Sequence, residues 1–138
     1  MKKLGIASLF VLVLSLFAIA QAQAQTVTIE VRNCTDETWC VKADPIFPPP
    51  TGCSASIDVC GGSTLLGANS TTTVTFDPNC AFLRALQWTG GGSAAFTSND
   101  PSGQYGDFCV CWDYSGTDPV VTIYEGDCSP PCPAPDCP

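Results

Sequence analysis

The sequence predicts a small all-β protein, an antiparallel β-sandwich of immunoglobulin-like or jelly-roll-like type that is stapled by disulfides. Apolar and polar residues alternate with a period of two along several short segments, and glycine, proline, asparagine and aspartate separate these segments. The chain also contains ten cysteines and no histidine. Many cysteines in a short exported chain indicate a domain that is cross-linked outside the reducing cytosol.

Residues 1–24 are predicted to be a cleaved signal peptide. Lys2 and Lys3 supply its positive start, residues 4–20 are almost continuously apolar, and Ala22–Ala24 is a small-x-small cleavage site. We therefore expect a secreted, extracellular protein that starts at Gln25, and the short signal favours a bacterial source. Because no cysteine stands at the cleavage site and no apolar tail ends the chain, no membrane insertion is expected after cleavage.

The mature chain is predicted to have two parts. Residues 25–127 are expected to form one β-sandwich domain, and residues 128–138 a Pro/Cys-rich C-terminal tail that cannot form a strand or a helix. Three basic and thirteen acidic residues follow the signal, so the mature net charge is −10. Since binding of phosphates requires clustered lysine and arginine, this charge excludes nucleic acid as a partner.

The first two strands are predicted near the start of the mature chain. Val27, Ile29 and Val31 alternate with polar residues, which is typical of a half-buried strand. Trp39 and Val41 continue the alternation after a short polar connection. That connection favours a hairpin between the two strands.

Four further strands are predicted from the same alternation and from β-branched or aromatic runs. They cover Ser70–Phe76, Phe82–Trp88, Phe108–Asp113 and Val120–Glu125. The apolar segment Ala81–Gln87 is also compatible with a short helix, because its periodicity does not separate the two structures.

Two segments interrupt the strand pattern. Asp44–Pro50 contains four prolines and is expected to be stiff, either as a loop that crosses between sheets or as a peptide-like docking ridge. The segment from Gly90 to Gly106 is predicted to be a long polar loop, and long loops often bind ligands. The candidate ligand or partner contacts are Trp88, Gly90, Gly91, Gly92 and Tyr105.

All ten cysteines are predicted to form disulfides: Cys34, Cys40, Cys53, Cys60, Cys80, Cys109, Cys111, Cys128, Cys132 and Cys137. The spacing alone does not determine the pairing. The local candidates are a bridge from Cys34 to Cys40 across the first hairpin and one from Cys53 to Cys60 around a small loop.

Two constraints on the disulfide pairing come from strand geometry and from the odd number of cysteines in the tail. On one strand, Cys109 and Cys111 would have Cα atoms roughly 6.6 Å apart and parallel Cβ directions. A disulfide needs Cβ atoms about 3.8 Å apart, so these two cysteines are expected to bond different partners. The tail holds three cysteines. At least one of them therefore bonds the body of the domain, another molecule or nothing.

No enzymatic activity, cofactor or metal is expected. Without histidine, neither a Ser-His-Asp nor a Cys-His arrangement can form. No C-x₂-C pair is present for zinc or for thioredoxin-like redox chemistry. Asp113–Asp118 and Asn99–Gly103 carry oxygen ligands suited to calcium, but their composition is typical of ordinary turns. The pair Asp107 and Asp113 is expected by chance among thirteen acidic residues.

The three tryptophans allow two interpretations, burial in the core or a platform on which a sugar stacks. Trp39 and Trp112 stand at alternating apolar positions and are expected in the core. Trp88 ends a predicted strand beside the glycine run, and it fits either interpretation.

The beginning of the mature chain resembles a known family. An alternating strand, then Asn33 and Cys34, then Trp39 a few residues later, is similar to the start of thaumatin-like proteins. The resemblance covers residues 25–39 and implies a β-sandwich. The chain is much shorter, has fewer cysteines and has no matching acidic-cleft pattern, so no activity is carried over.

Two functional classes fit these observations. The first is a structural or self-associating extracellular protein, such as a filament, coat or matrix subunit. In that class the strand 25–33 either completes a neighbour's sheet or forms the first strand of its own sandwich, and a tail cysteine could bridge two chains. The second is a monomeric extracellular module that binds glycan or protein through Trp88 and the loop from Gly90 to Gly106.

Overall fold

The computed structural model describes residues 25–53, 60, 65–89, 94–128 and 132. Nine strands occur in this part of the chain: β1 (Val27–Asn33), β2 (Trp39–Pro45), β3 (Leu65–Leu66), β4 (Ser70–Phe76), β5 (Ala81–Gln87), β6 (Ala95–Thr97), β7 (Gly103–Tyr105), β8 (Phe108–Asp113) and β9 (Val120–Glu125). None of the described residues belongs to a helix long and apolar enough to cross a membrane.

The strands form two packed sheets, which confirms the predicted disulfide-stapled β-sandwich. One sheet has five strands in the order β4-β1-β9-β8-β7, and the other has four in the order β3-β2-β5-β6. Neighbouring strands are antiparallel except β1 and β9, which run parallel. The first strand is therefore an interior strand of its own sheet, with β4 on one side and β9 on the other.

The alternation located six strands correctly and overlooked three short ones. Ala81–Gln87 pairs along its whole length with β2, so the helical alternative is wrong. The segment predicted as one long loop from Gly90 to Gly106 contains β6 and β7. Phe96 on β6 is only 1% exposed and fills the core. Strands of two or three residues are too short to show a period, which explains why they were missed.

The predicted hairpin between the first two strands is wrong. β1 lies in the five-stranded sheet and β2 in the four-stranded sheet, so the polar connection crosses the sandwich as an arch. At the end of β1, the Cys34 N–H still donates to the Ile123 carbonyl of β9 at 2.8 Å. The chain changes sheets only after that bond, over residues 35–38.

The buried side chain of Asn33 holds this arch. Its Nδ2 donates to the carbonyl of Glu37 at 2.7 Å and to that of Gly67 at 2.8 Å. Its Oδ1 accepts from the Thr35 backbone N–H at 3.1 Å and from the Thr35 hydroxyl at 2.8 Å. Asn33 is 0% exposed, and the bonds compensate for the burial of its amide. One side chain therefore joins the arch to the turn between β3 and β4.

The core lies between the sheets and is built around aromatic rings. The prediction for Trp39 is confirmed, since its side chain is fully buried. Its ring contacts Phe108 edge-on at 5.2 Å and Phe96 at 5.9 Å, arrangements that aromatic pairs favour. Trp112 is only partly buried and packs against the edge of the core.

A compact charged cluster lies on the four-stranded sheet. The carboxylate of Asp44 binds Lys42 Nζ at 2.7 Å and the Arg84 guanidinium at 3.0 Å. Burial alone would raise the pKa of Asp44, but the hydrogen bonds and charges of the two cations outweigh burial, and the pKa lies below its ordinary value. Asp44 is therefore ionised and paired at neutral pH.

Four disulfides have both cysteines within the described residues. Cys40 bonds Cys60, Cys53 bonds Cys80, Cys109 bonds Cys128 and Cys111 bonds Cys132, with Cα–Cα distances of 5.7, 5.3, 5.1 and 5.8 Å. Cys34 is disulfide-bonded as well, and no described cysteine is free. These bridges are compatible with an extracellular location.

Both predicted local bridges are wrong, because the sandwich brings distant segments together. Cys34 extends the five-stranded sheet, whereas Cys40 lies on β2 of the other sheet. The segment after β2 returns toward Cys80, whose carbonyl accepts the Ile46 N–H at 2.9 Å. Cys53 then meets Cys80 rather than its neighbour in sequence.

The prediction for Cys109 and Cys111 is confirmed. Both lie on β8, and they bond two different cysteines of the C-terminal segment, Cys128 and Cys132. Within a strand, residues two apart share a face, so both bridges leave β8 on the same side. Phe108 and Val110 alternate with them and belong to the core cluster, which places the bridges on the outer face of the sheet. Two bonds therefore fasten the start of the tail across that face.

Candidate functional site

An apolar pocket opens between the two sheets at the end of the sandwich where β1 begins and β8 ends. Its volume is about 200 Å³. The described residues that line it are Val27, Ile29, Phe76, Pro78, Ser98, Trp112, Tyr114 and Pro119. None of these side chains carries a charge at neutral pH. The pocket is therefore suited to an apolar or aromatic group.

Two stacked aromatic rings form one wall of this pocket. The rings of Trp112 and Tyr114 are nearly parallel, with an interplanar angle of 12° and centroids 5.9 Å apart. Behind them, Phe96 contacts the Trp112 ring edge-on at 6.3 Å. Tyr114 is 65% exposed, so the outer ring of the stack faces solvent. The stack thus extends the apolar core to the protein surface.

Local chain geometry accounts for the position of the stack. Trp112 is held on β8 opposite Val121, and its backbone N–H donates to Ser102 Oγ at 2.8 Å. Immediately after the strand, the Ser115 N–H donates to Asp113 Oδ1 at 2.8 Å, which closes a turn typical of aspartate. The hydrogen bonds from Ser115 lower the pKa of Asp113. The turn begins where Tyr114 leaves the sheet.

The indole of Trp112 has an unmet hydrogen-bonding capacity. Its Nε1 is buried, and it has no acceptor within the described residues. Buried donors in native proteins nearly always have a partner, so an unpaired one on a residue that lines a pocket is notable. Trp112 was expected in the core and Tyr114 in a turn. Their spacing of two, which places both rings on one side of an extended chain, is the signal that could have revealed the stack.

A second feature is the free edge of the five-stranded sheet, formed by β4. Within the described chain, β4 pairs with β1 and with no other strand. The seven residue pairs from Val27–Phe76 to Asn33–Ser70 follow each other without a bulge. The outward side chains Thr71, Thr73 and Thr75 are exposed. Within the described residues, the edge is therefore long and regular, and it carries three exposed threonines.

Among the described residues, β4 is the longest of the four outermost strands. β3 has two residues, and β6 and β7 have three each. Proteins usually protect a long edge with charge, proline or a bulge. β4 contains no charged residue and no proline, and no charged residue occurs anywhere between Asp58 and Asp77.

Of the predicted contact residues, Trp88 and Tyr105 lie within the described residues. Trp88 is 50% exposed beside the arch, where its backbone N–H donates to the Thr38 carbonyl at 2.8 Å. Tyr105 is partly buried, with its ring 6.0 Å from that of Phe96 and its hydroxyl bonded to the Pro101 carbonyl. Burial and then the charge of Asp100 raise the pKa of Tyr105. Gly90, Gly91 and Gly92 lie outside the described residues.

The candidate metal ligands described next take part in disulfides or in the hydrogen bonds of a turn. The sulfur atoms of Cys109, Cys111 and Cys132 lie within 4.8 Å of one another, but all three cysteines are oxidised in disulfides. In the second candidate calcium segment, Asp100 accepts the backbone N–H of Thr97 at 2.7 Å and its hydroxyl at 3.0 Å. These bonds are typical of a turn.

The sequence and the structure were compared with known protein families, proteins and structures. No family model matches the chain, and no similar curated protein or solved structure was found.

Proposed function

We propose that the protein is an exported structural protein that associates with copies of itself to build an extracellular filament, coat or matrix. The observation that carries this proposal is the unprotected seven-residue edge of β4. The exposed backbone of such an edge can pair with a strand of another chain. A second β4, aligned antiparallel, is the simplest partner, because a two-fold contact uses the same surface on both copies.

The composition of the β4 edge suits contact between copies of an acidic chain. Copies with a mature net charge of −10 repel each other over most of their surface. β4 offers threonine, serine and valine, and cross-strand threonine pairs stabilise a sheet. In a pair centred on Thr73, the Thr73 side chains of two copies would lie opposite each other, and Thr71 would lie opposite Thr75. No like charges would meet along the contact.

The export signal and the disulfides support the extracellular part of the proposal. Residues 1–24 have the three regions of a secretory signal, and every described cysteine is oxidised. Disulfides on both sheets suit a protein that must persist in an oxidising environment without renewal. The short, lysine-led signal is the reason that we favour a bacterial source.

The test places a charge at the centre of the edge. In Thr73→Lys, two ammonium groups about 5 Å apart would repel by about 1–3 kcal/mol, which weakens pairing by roughly 5- to 150-fold. The fold should persist, because Thr73 is exposed and Glu30 lies opposite it on β1. Thr117→Lys is the matched control, since it adds the same charge in an exposed loop away from the edge.

The measurement is sedimentation equilibrium of the purified oxidised protein from micromolar to millimolar concentration. We expect wild type and Thr117→Lys to associate with the same affinity, and Thr73→Lys to associate roughly 5- to 150-fold more weakly. A wild type that stays monomeric at millimolar concentration would refute self-association. Equal association of all three proteins would refute the role of β4.

A monomeric glycan- or protein-binding module is the second candidate. The observation that favours it is Trp88, a tryptophan with half of its surface in solvent. Exposed tryptophans on rigid β proteins are suited to stacking on sugars. Glycan-array binding by wild type that disappears in Trp88→Ala, together with a monomeric wild type, would favour this candidate over self-association.

A further inference from the structure

We propose that the segment Ile46–Pro50 of one copy, which we call the proline ridge, docks into the Trp112–Tyr114 pocket of a second copy. This inference rests on the self-association proposed above and adds a second contact to it. Pairing of two β4 edges is a closed two-fold contact, so by itself it stops at a dimer. Growth beyond the dimer requires a different surface, and the ridge and the pocket supply one.

The proline ridge presents a rigid apolar side chain to solvent. Phe47 is 82% exposed, more than the other exposed large hydrophobic residues, and residues 48–52 are exposed around it. The segment is fastened at both ends. The Ile46 N–H donates to the Cys80 carbonyl at 2.9 Å, and Cys53 is bonded to Cys80 and donates its N–H to Pro50. Little conformational freedom is lost when such a segment binds.

The pocket has the size and chemistry to accept this side chain. A protein cavity of about 150 Å³ accommodates a benzene ring, so a pocket of about 200 Å³ is large enough for the phenyl group of Phe47. Grooves lined by aromatic rings are also a recurring receptor for proline-rich segments, and here Trp112 and Tyr114 supply the rings. Phe47 does not fill the pocket of its own chain, because it is exposed.

Charge favours this contact over others between two acidic copies. The pocket lining is uncharged, and no charged residue occurs between Asp44 and Asp58. Two copies can therefore bring ridge and pocket together without placing carboxylates against each other. The contact buries much less than the roughly 800 Å² per partner of a stable interface. It should be weak alone, with a Kd on the order of 1 mM, and effective through repetition in an assembly.

The test uses two complementary variants in a Thr73→Lys background, in which β4 pairing is weakened. Phe47→Ser removes the phenyl group of the proline ridge but leaves the pocket intact. Tyr114→Ala removes one aromatic ring of the pocket but leaves the proline ridge intact. Both side chains are exposed, so neither change should unfold the protein. The indole N–H of Trp112 is the reporter, since it has no acceptor in the described part of the chain.

In the decisive mixture, ¹⁵N-labelled Phe47→Ser is titrated with unlabelled Tyr114→Ala up to 2 mM. We expect the Trp112 indole resonance to shift, because the intact ridge of one protein enters the intact pocket of the other. With the labels exchanged, labelled Tyr114→Ala should show no shift when Phe47→Ser is added. An unchanged resonance in the first mixture would overturn the proposal. A shift produced by soluble oligosaccharides instead of the partner would also overturn it and would assign the pocket to sugars.

A second measurement separates this inference from the proposed function. With β4 unchanged, wild type should form species larger than a dimer, and Phe47→Ser should stop at the dimer. Trp88→Ser is the matched control, because it removes another exposed aromatic side chain, and it should grow as wild type does. Growth of Phe47→Ser equal to that of wild type would overturn the ridge contact while leaving β4 pairing intact. Monomers of every variant would instead refute β4 pairing.

Discussion

Replacing Asn33 with alanine should be among the most destabilising single changes in this protein. The amide makes four hydrogen bonds of 2.7–3.1 Å, two through Nδ2 and two through Oδ1. At about 1 kcal/mol for each bond, their loss costs about 4 kcal/mol of unfolding free energy. The buried backbone N–H of Thr35, in the arch between β1 and β2, would then lose its acceptor. Small domains are stable by only about 5–15 kcal/mol, so the change removes a large fraction of the total.

Asn33→Asp separates the hydrogen bonds from the volume of the side chain. It has nearly the same shape, but at neutral pH it replaces the Nδ2 donor with an acceptor facing the carbonyls of Glu37 and Gly67. We expect a loss comparable to that of Asn33→Ala, although no cavity forms. Asn99→Ala is the matched control, since Asn99 is exposed in a turn, and it should change stability by less than about 0.5 kcal/mol.

The assay is urea unfolding of the oxidised proteins, followed by circular dichroism and tryptophan fluorescence. With disulfides intact, a domain of this size is expected to unfold in one cooperative step. The reasoning about the arch would be wrong if Asn33→Ala lost less than about 1 kcal/mol, which is the worth of a single hydrogen bond. It would also be wrong if Asn33→Asp were as stable as wild type at neutral pH.

Two further predictions concern charge and cross-links. The folded pKa of Asp44 lies below its ordinary 3.8, so its pairing with Lys42 and Arg84 stabilises the protein fully above that value. This stability is lost as pH falls through the folded pKa. Asp44→Asn should therefore lose less unfolding free energy than wild type between pH 6 and pH 2, and equal losses would contradict the assignment. Removal of the Cys109–Cys128 bridge by a double serine substitution should cost roughly 3 kcal/mol for its 19-residue loop, measured as a lower urea midpoint. An unchanged midpoint would show that the bridge does not restrain the unfolded chain.

The strands that could be predicted from the sequence are those whose side chains alternate over six or seven residues. Val27, Ile29 and Val31 indicate a buried face, and that face exists. Alternation does not say which strand lies alongside, so the crossing between β1 and β2 could not be predicted. The arch depends on Asn33, which reads in sequence as a polar residue that ends a strand. Its role arises from the carbonyl of Gly67, far away in sequence.

Cysteine geometry was predictable where it depended on one strand and unpredictable where it depended on the whole fold. The parallel directions of Cys109 and Cys111 follow from local strand geometry. The partner of Cys53 depends on how the chain returns to Cys80, which is a tertiary property. The pocket also could not be predicted from local sequence, because its lining comes from several separate segments of the chain. Only the Trp112–Tyr114 spacing was visible in the sequence.

The parallel contact of β1 with β9 determines when the domain can fold. β1 and β9 are the first and last strands of the described residues, and they are adjacent in the five-stranded sheet. Until β9 has been synthesised, β1 and β4 cannot be joined to β8 and β7, so a nascent chain cannot complete this sheet. Pairing over so long a sequence separation is also slow. As the chain is synthesised, this topology delays completion of the five-stranded sheet until β9 has emerged.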